Sequence, residues 1–117
     1  MKYTDEQRIA KIVVLCEKLL TYLRENQLTP EDVMKQEYTQ WAITTPLYNI
    51  GEQVYRLSPE LKARFPELPW NMVSGMRHRL VHDYEGVNRQ LIWEIISEDL
   101  PALIDALKKL AQTEENT

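Results

Sequence analysis

The chain holds one cysteine, two histidines and no apolar run approaching the ~20 residues that a bilayer-spanning helix needs. A lone cysteine excludes an intrachain disulfide framework. Positive charge is also in deficit: 14 Lys and Arg stand against 18 Asp and Glu, a formal charge of −4 with a pI near 5.2. A general nucleic-acid coat protein relies on phosphate neutralisation by excess cations, so that class is excluded and only a local basic site remains open. The opening residues Met1-Lys2-Tyr3-Thr4-Asp5-Glu6 are polar, so neither a signal peptide nor a membrane anchor is expected, and the location expected is cytoplasmic. No stretch alternates as a half-buried strand would, and no internal repeat is evident.

What is present is helical. At 117 residues and 44% hydrophobic composition, one domain with one core is expected over residues 1–112, with 113–117 as a frayed tail. Ile9, Ile12, Val13, Cys16, Leu19, Leu20 and Leu23 recur at three- and four-residue steps and define the buried stripe of a first helix, with Thr4 and Gln7 as its capping box. Cys16 is read as a small core residue. Thr29-Pro30-Glu31-Asp32 opens a second helix reaching about Leu57, with Pro46 as a place where it kinks. Ser58 caps a short helix among Pro59, Pro66 and Pro69. A third long helix begins near Trp70, turns Met72, Val73, Met76, Leu80 and Val81 inward and closes at Asp83-Tyr84-Glu85-Gly86. Asn88 caps a last helix carrying Ile92, Ile96, Leu100, Leu103, Leu107 and Leu110, bent by Pro101. The fold expected is all-α: an antiparallel four-helix bundle with an additional short helix.

Chemistry concentrates between Gly75 and Gly86, where Arg77, His78, Arg79, His82 and Tyr84 fall together with both histidines of the chain. Three readings compete. In the first, the arginines are solvated charges and the histidines bond locally near a helix C-terminus. In the second, His78 and His82, spaced i,i+4 with Glu85 beyond, hold a metal; two histidines and one acid fall short of a structural zinc set, and Arg77 and Arg79 would repel the cation. In the third, the segment cleaves RNA without metal. RNA supplies its own nucleophile, the 2′-OH, so the protein needs a proton carrier with a pKa near neutrality and a cation for the charge developing on phosphate. His82 and Arg77 match these needs. On an unbroken helix, however, residues five apart differ by roughly 140° around the axis. Either the helix ends before His82, or another surface, such as a second copy of the chain, completes the site.

The blocks Ile50-Gly51-Glu52, Pro66-Glu67-Leu68-Pro69-Trp70, Gly75-Met76-Arg77-His78-Arg79-Leu80-Val81-His82-Asp83-Tyr84 and Ile92-Trp93-Glu94-Ile95-Ile96 with Asp99-Leu100-Pro101 together resemble the HepT-like branch of the HEPN domains. The resemblance implies a HEPN fold and a metal-independent endoribonuclease toxin of a HEPN/MNT (type VII) toxin–antitoxin pair. It implies a homodimer whose cleft joins two copies of Arg77 and His82 as catalytic residues, RNA as substrate and no cofactor. It also implies a minimal nucleotidyltransferase antitoxin as partner, which transfers AMP to Tyr84. The residue after the catalytic arginine is often Asn in the family; here it is His78, a second titratable ring able to share in proton transfer.

Around this core, Glu52 either orients Arg77 or His82 or makes an ordinary ion pair, and Gly51 admits a neighbouring helix. Arg79 is read as an RNA-phosphate contact, with a plain surface charge as the other reading. Trp41, Trp70 and Trp93 are read as core or dimer-interface residues before base-stacking ones. The rival function is a non-catalytic HEPN module that binds nucleotide or a nucleotidyltransferase partner, motivated by the net negative charge and the angular separation of Arg77 from His82.

Overall fold

The computed structural model describes residues 4–82 and 89–115, and every described element is helical. In chain order these are α1 (Asp5–Glu25), α2 (Pro30–Lys35), α3 (Glu37–Arg56), α4 (Pro59–Arg64), α5 (Trp70–His82), α6 (Arg89–Glu94), a π-helical turn (Ile95–Asp99) and α7 (Leu100–Glu115). The architecture is the all-α bundle expected from the HEPN resemblance. The long helices α1, α3, α5 and α7 supply its frame: α3 packs along α5 and α1, and α1 along α7.

Local chemistry sets the helix starts. Thr4 Oγ1 accepts from the Gln7 N–H at 3.1 Å while Gln7 Oε1 accepts from the Thr4 N–H at 2.9 Å. Thr29 and Asp32 repeat the arrangement at the start of α2, on either side of Pro30. These reciprocal bonds satisfy N–H groups that the first turn of a helix leaves unpaired. Ser58 caps α4 by accepting from Leu61 N–H, and its own N–H and Oγ–H donate to the two carboxylate oxygens of Asp5 at 3.0 and 2.5 Å. The corner after α3 is thereby tied to the start of α1.

The continuous second helix expected from residue 30 to about 57 is two helices. Gln36 adopts extended backbone (φ −95°, ψ 118°) and separates α2 from α3. Pro46, expected to kink the segment, lies inside α3, which stays helical through it. The carbonyl that Pro46 leaves without an amide belongs to Ala42, an exposed residue. At the other end of the chain, the bend expected at Pro101 is a π turn in which the Leu100 N–H reaches five residues back to the Ile95 carbonyl. A proline ring clashes with the carbonyl four residues before it in a regular helix, and a widened turn just upstream relieves that contact. The extra residue also resets the register, so that Ile95, Ile96, Leu100 and Leu103 are all almost fully buried. The helix closure read at Asp83-Tyr84-Glu85-Gly86 and the cap read at Asn88 lie outside the described residues, while α7 is helical as far as Glu115.

The core follows the periodic stripes. Ile9, Ile12, Cys16, Leu19 and Leu23 of α1 meet Ile43, Leu47, Ile50 and Val54 of α3, Val73, Met76 and Leu80 of α5, and the inner residues of α7. Met72, expected inside, is 43% exposed. It precedes Val73 by about 100° around the axis, and Val73 takes the buried position. Burial pushes the Cys16 thiol up to about 12, with Glu17 adding to the shift, so Cys16 is an inert packing residue. Among the described residues, no helix is long and apolar enough to cross a membrane.

Candidate active site

The centre of the candidate site is the crossing of α3 and α5. Gly51 is buried on α3, and a Cβ built there would stand 2.9 Å from the Val73 carbonyl oxygen, 3.2 Å from Arg77 N and 3.3 Å from Arg77 Cβ. A glycine at this position therefore lets the two backbones approach, as the sequence suggested, and it seats Arg77 directly on α3. One turn of α3 surrounds the arginine: Glu52 follows Gly51, and Tyr55 lies four residues beyond it on the same side.

Arg77 extends over the Tyr55 ring, with Cζ 3.6 Å from the ring centroid. This is face-on contact between a cation and the electron-rich face of an aromatic ring. Glu52 approaches from the side, its Oε2 3.7 Å from Arg77 Nη1. That separation is an ion pair but too long for a hydrogen bond. The other oxygen of the same carboxylate, Oε1, accepts from Arg56 Nε at 2.7 Å. Glu52 thus lies between two arginines and is held closer by Arg56. The Arg77 side chain is 29% exposed and that of Glu52 21%. Arg77 Nε is buried and has no hydrogen-bond partner among the described residues. A buried donor without a partner costs free energy, and such groups call for an explanation in function or strain.

The remaining sequence-selected residues fall as follows. His78 and Arg79 are exposed on α5. The backbone of His82 closes α5, so the helix does not end before it and the angular separation from Arg77 persists along a continuous helix. The side chain of His82, and all of Tyr84 and Glu85, lie outside the described residues, and with them most of the metal reading. The structure brings Glu52 to Arg77. The partner that sequence reasoning missed is Tyr55. The available signal was its position one turn beyond Gly51, on the face that the close approach presents to α5.

The three tryptophans separate. Trp70 is buried and its indole N–H donates to the Phe65 carbonyl at 2.8 Å. Trp93 is partly buried against the core. Trp41 is not a core residue: it is 50% exposed on α3 and meets Tyr38, itself 79% exposed, edge to face at 5.2 Å.

Fold and site together define a helical bundle of the HEPN type, with a partly buried arginine held between a ring and a carboxylate at a helix crossing. The family model described as "Ribonuclease HepT-like" matches residues 8–110, and the chain belongs to this HepT-like ribonuclease family. A protein of Caldanaerobacter subterraneus subsp. tengcongensis named as a candidate RNase is 33% identical over 112 residues, covering 96% of this chain and 98% of that protein. A Thermococcus cleftensis protein named "Probable ribonuclease HepT" is 31% identical over 110 residues, covering 94% of this chain and 98% of its own. A Methanocaldococcus jannaschii protein, also named as a candidate RNase, is 31% identical over 85 residues, 73% of this chain and 70% of that one. No solved structure matches the chain.

Proposed function

We propose that this protein is a metal-independent endoribonuclease toxin in which Arg77 and His82 act on RNA across the cleft of a homodimer. The observation that carries the reading is the Arg77 guanidinium, seated on Tyr55 beside Glu52 in a chain of the HepT-like ribonuclease family. The 2′-OH attacks the adjacent phosphorus and the 5′-oxygen leaves, giving a 2′,3′-cyclic phosphate. One imidazole removes the 2′-proton and another delivers a proton to the leaving oxygen, while Arg77 stabilises the charge that builds on the non-bridging oxygens. Each chain brings one His82, so two copies supply the base and the acid. The unbroken run of α5 through His82 favours this arrangement, because one helix cannot turn Arg77 and His82 to the same side. The exposed Tyr38 and Trp41 on α3 offer apolar surface for the second copy. His78 and Arg79 lie exposed on the same helix, where they can contact RNA phosphates.

Regulation follows from Tyr84. Transfer of AMP to its hydroxyl by a minimal nucleotidyltransferase antitoxin places a phosphate and a nucleoside near the cationic site and opposes RNA phosphate. A non-catalytic HEPN module that binds nucleotide or a nucleotidyltransferase partner is the second reading, favoured by the angular separation of Arg77 from His82 along a continuous α5. One assay separates the two. Purified protein is expected to cut single-stranded RNA in EDTA, leaving 2′,3′-cyclic phosphate ends, and to lose activity in Arg77→Ala and His82→Ala. Full activity in His82→Ala refutes the mechanism, and a wild type that binds RNA or nucleotide without cutting selects the binding module. A chain coexpressed with its nucleotidyltransferase should gain mass in AMP units, and Tyr84→Phe should not.

A further inference from the structure

We infer that Tyr55 is a positioning residue: it holds the Arg77 guanidinium by its face, while Arg56 holds Glu52 back, so that the in-plane N–H donors of Arg77 stay available to a phosphate. The inference deepens the proposed RNA-cleaving role and rests on it for the identity of the substrate.

An arginine can be fixed in two ways. A carboxylate engaging it bidentately consumes its donors and neutralises it. An aromatic ring stacked on its face orients the plane and takes no donor. Here the second arrangement dominates. Cζ stands 3.6 Å from the Tyr55 centroid, whereas the nearer carboxylate oxygen is 3.7 Å from Nη1 and its sister oxygen is engaged by Arg56 Nε at 2.7 Å. Arg77 Nε is buried without a partner among the described residues, so the ring face and not a hydrogen bond to that nitrogen orients the group, and with the side chain 29% exposed the donors offered to a phosphate are those of the Nη groups.

The ring is itself anchored. Tyr55 lies in the last turn of α3, where its carbonyl accepts from Lys62 Nζ at 3.1 Å. Three residues later Ser58 is tied to Asp5 by two hydrogen bonds. The chain beneath the ring is therefore fixed to both α4 and α1. Tyr55 is 54% exposed and lies outside the core, so its replacement tests the stack rather than the fold.

The test uses the full-length protein as wild type, Tyr55→Phe and Tyr55→Leu. In wild type, ring current should move the Arg77 Cδ protons upfield in the NMR spectrum; Tyr55→Phe should keep the shift and Tyr55→Leu should lose it. Titration with inorganic phosphate should perturb the Arg77 Nη resonances in wild type and Tyr55→Phe, with weaker binding in Tyr55→Leu. On a fluorescent single-stranded RNA oligonucleotide, Tyr55→Leu should lower kcat on the order of tenfold to a hundredfold, the scale of a misplaced catalytic group, with KM changed far less. Tyr55→Phe should restore it. An unshifted Arg77 in wild type overturns the inference without any variant, as does a Tyr55→Leu protein with wild-type phosphate binding and kcat. If wild type does not cleave RNA, the proposed function falls, and the positioning role is decided by the ring-current shift and the phosphate titration alone.

Discussion

Gly51 and Gly75 give a paired prediction that tests the α3–α5 crossing directly. Both are helical glycines, and replacing glycine by alanine in a helix interior gains about 1 kcal/mol of propensity where space allows. At Gly75 a new Cβ meets nothing within 4 Å, so Gly75→Ala should realise that gain. At Gly51 the Cβ would come within 2.9 Å of the Val73 carbonyl oxygen, a backbone atom that cannot swing aside, and within 3.3 Å of two Arg77 atoms. Overpacking of this kind costs typically 1–3 kcal/mol, about 2–3 where rigid backbone is the obstacle. Set against the propensity gain, Gly51→Ala should destabilise by about 1–2 kcal/mol. At about 2.1 cal/mol/K of unfolding entropy per residue, each kcal/mol corresponds to about 4 °C in Tm for a chain of this length. Thermal unfolding followed by circular dichroism should thus show Gly75→Ala about 4 °C above wild type and Gly51→Ala about 4–8 °C below it. A Gly51→Ala protein as stable as Gly75→Ala would refute the close approach, and with it the geometry that seats Arg77 on Tyr55.

Two further substitutions probe charge. Glu52→Gln removes the carboxylate beside Arg77 while leaving the ring stack, and inorganic phosphate should bind up to about fivefold tighter, the worth of a partly exposed ion pair; weaker binding would mean that Glu52 orients the arginine and restrains it more than Tyr55 does. Asp99, in the π turn, has its pKa raised by desolvation, then by Glu98 and Glu94. A raised folded-state pKa means that folding favours the protonated acid, so the penalty is absent below the ordinary value of 3.8 and full above the folded pKa. Asp99→Asn should therefore raise Tm at neutral pH, with the difference shrinking as the pH falls toward 3.8; a constant difference across that range would show that the effect is not electrostatic.

Features decided within one turn of chain were readable from the sequence. Thr4, Thr29 and Ser58 mark helix starts because a cap needs only a side-chain oxygen and an amide two or three residues away. The stripes of α1 and α7 were readable because burial imposes a 3.6-residue period. Gln36 was not, since Lys35-Gln36-Glu37 holds no glycine or proline to mark the break between Val33 and Ile43. The π turn escaped for a related reason: one inserted residue shifts the register without removing an apolar position, and Ile95 and Ile96 leave both registers plausible. Whether Trp41 was a core or an interface residue could not be decided, because helical spacing does not say whether another helix covers a position; the structure removes the core alternative. In the site, Gly51 announced a close approach, yet the Tyr55–Arg77 stack joins residues on different helices and exists only once α3 and α5 are paired.

The acidity of the chain and the cationic chemistry read into its site are reconciled by scale. A charge of −4 spread over 117 residues weakens long-range attraction to RNA, and at physiological salt such fields are screened within about 8 Å. What acts on a bound phosphate is the charge within that distance. Among the described residues at the crossing, Arg56 and Arg77 flank the carboxylate of Glu52, an excess of one positive charge, with Arg77 29% exposed and Arg56 at 55% on the solvent side. Because Tyr55 restrains Arg77 through its face, the excess resides on a guanidinium whose edge remains competent for hydrogen bonding. Such a surface attracts phosphate weakly from afar and strongly on contact, which suits a nuclease that selects by fit at the cleft better than one that accumulates on RNA non-specifically. It also makes the site sensitive to one added negative group, the kind of group that the proposed AMP transfer would add.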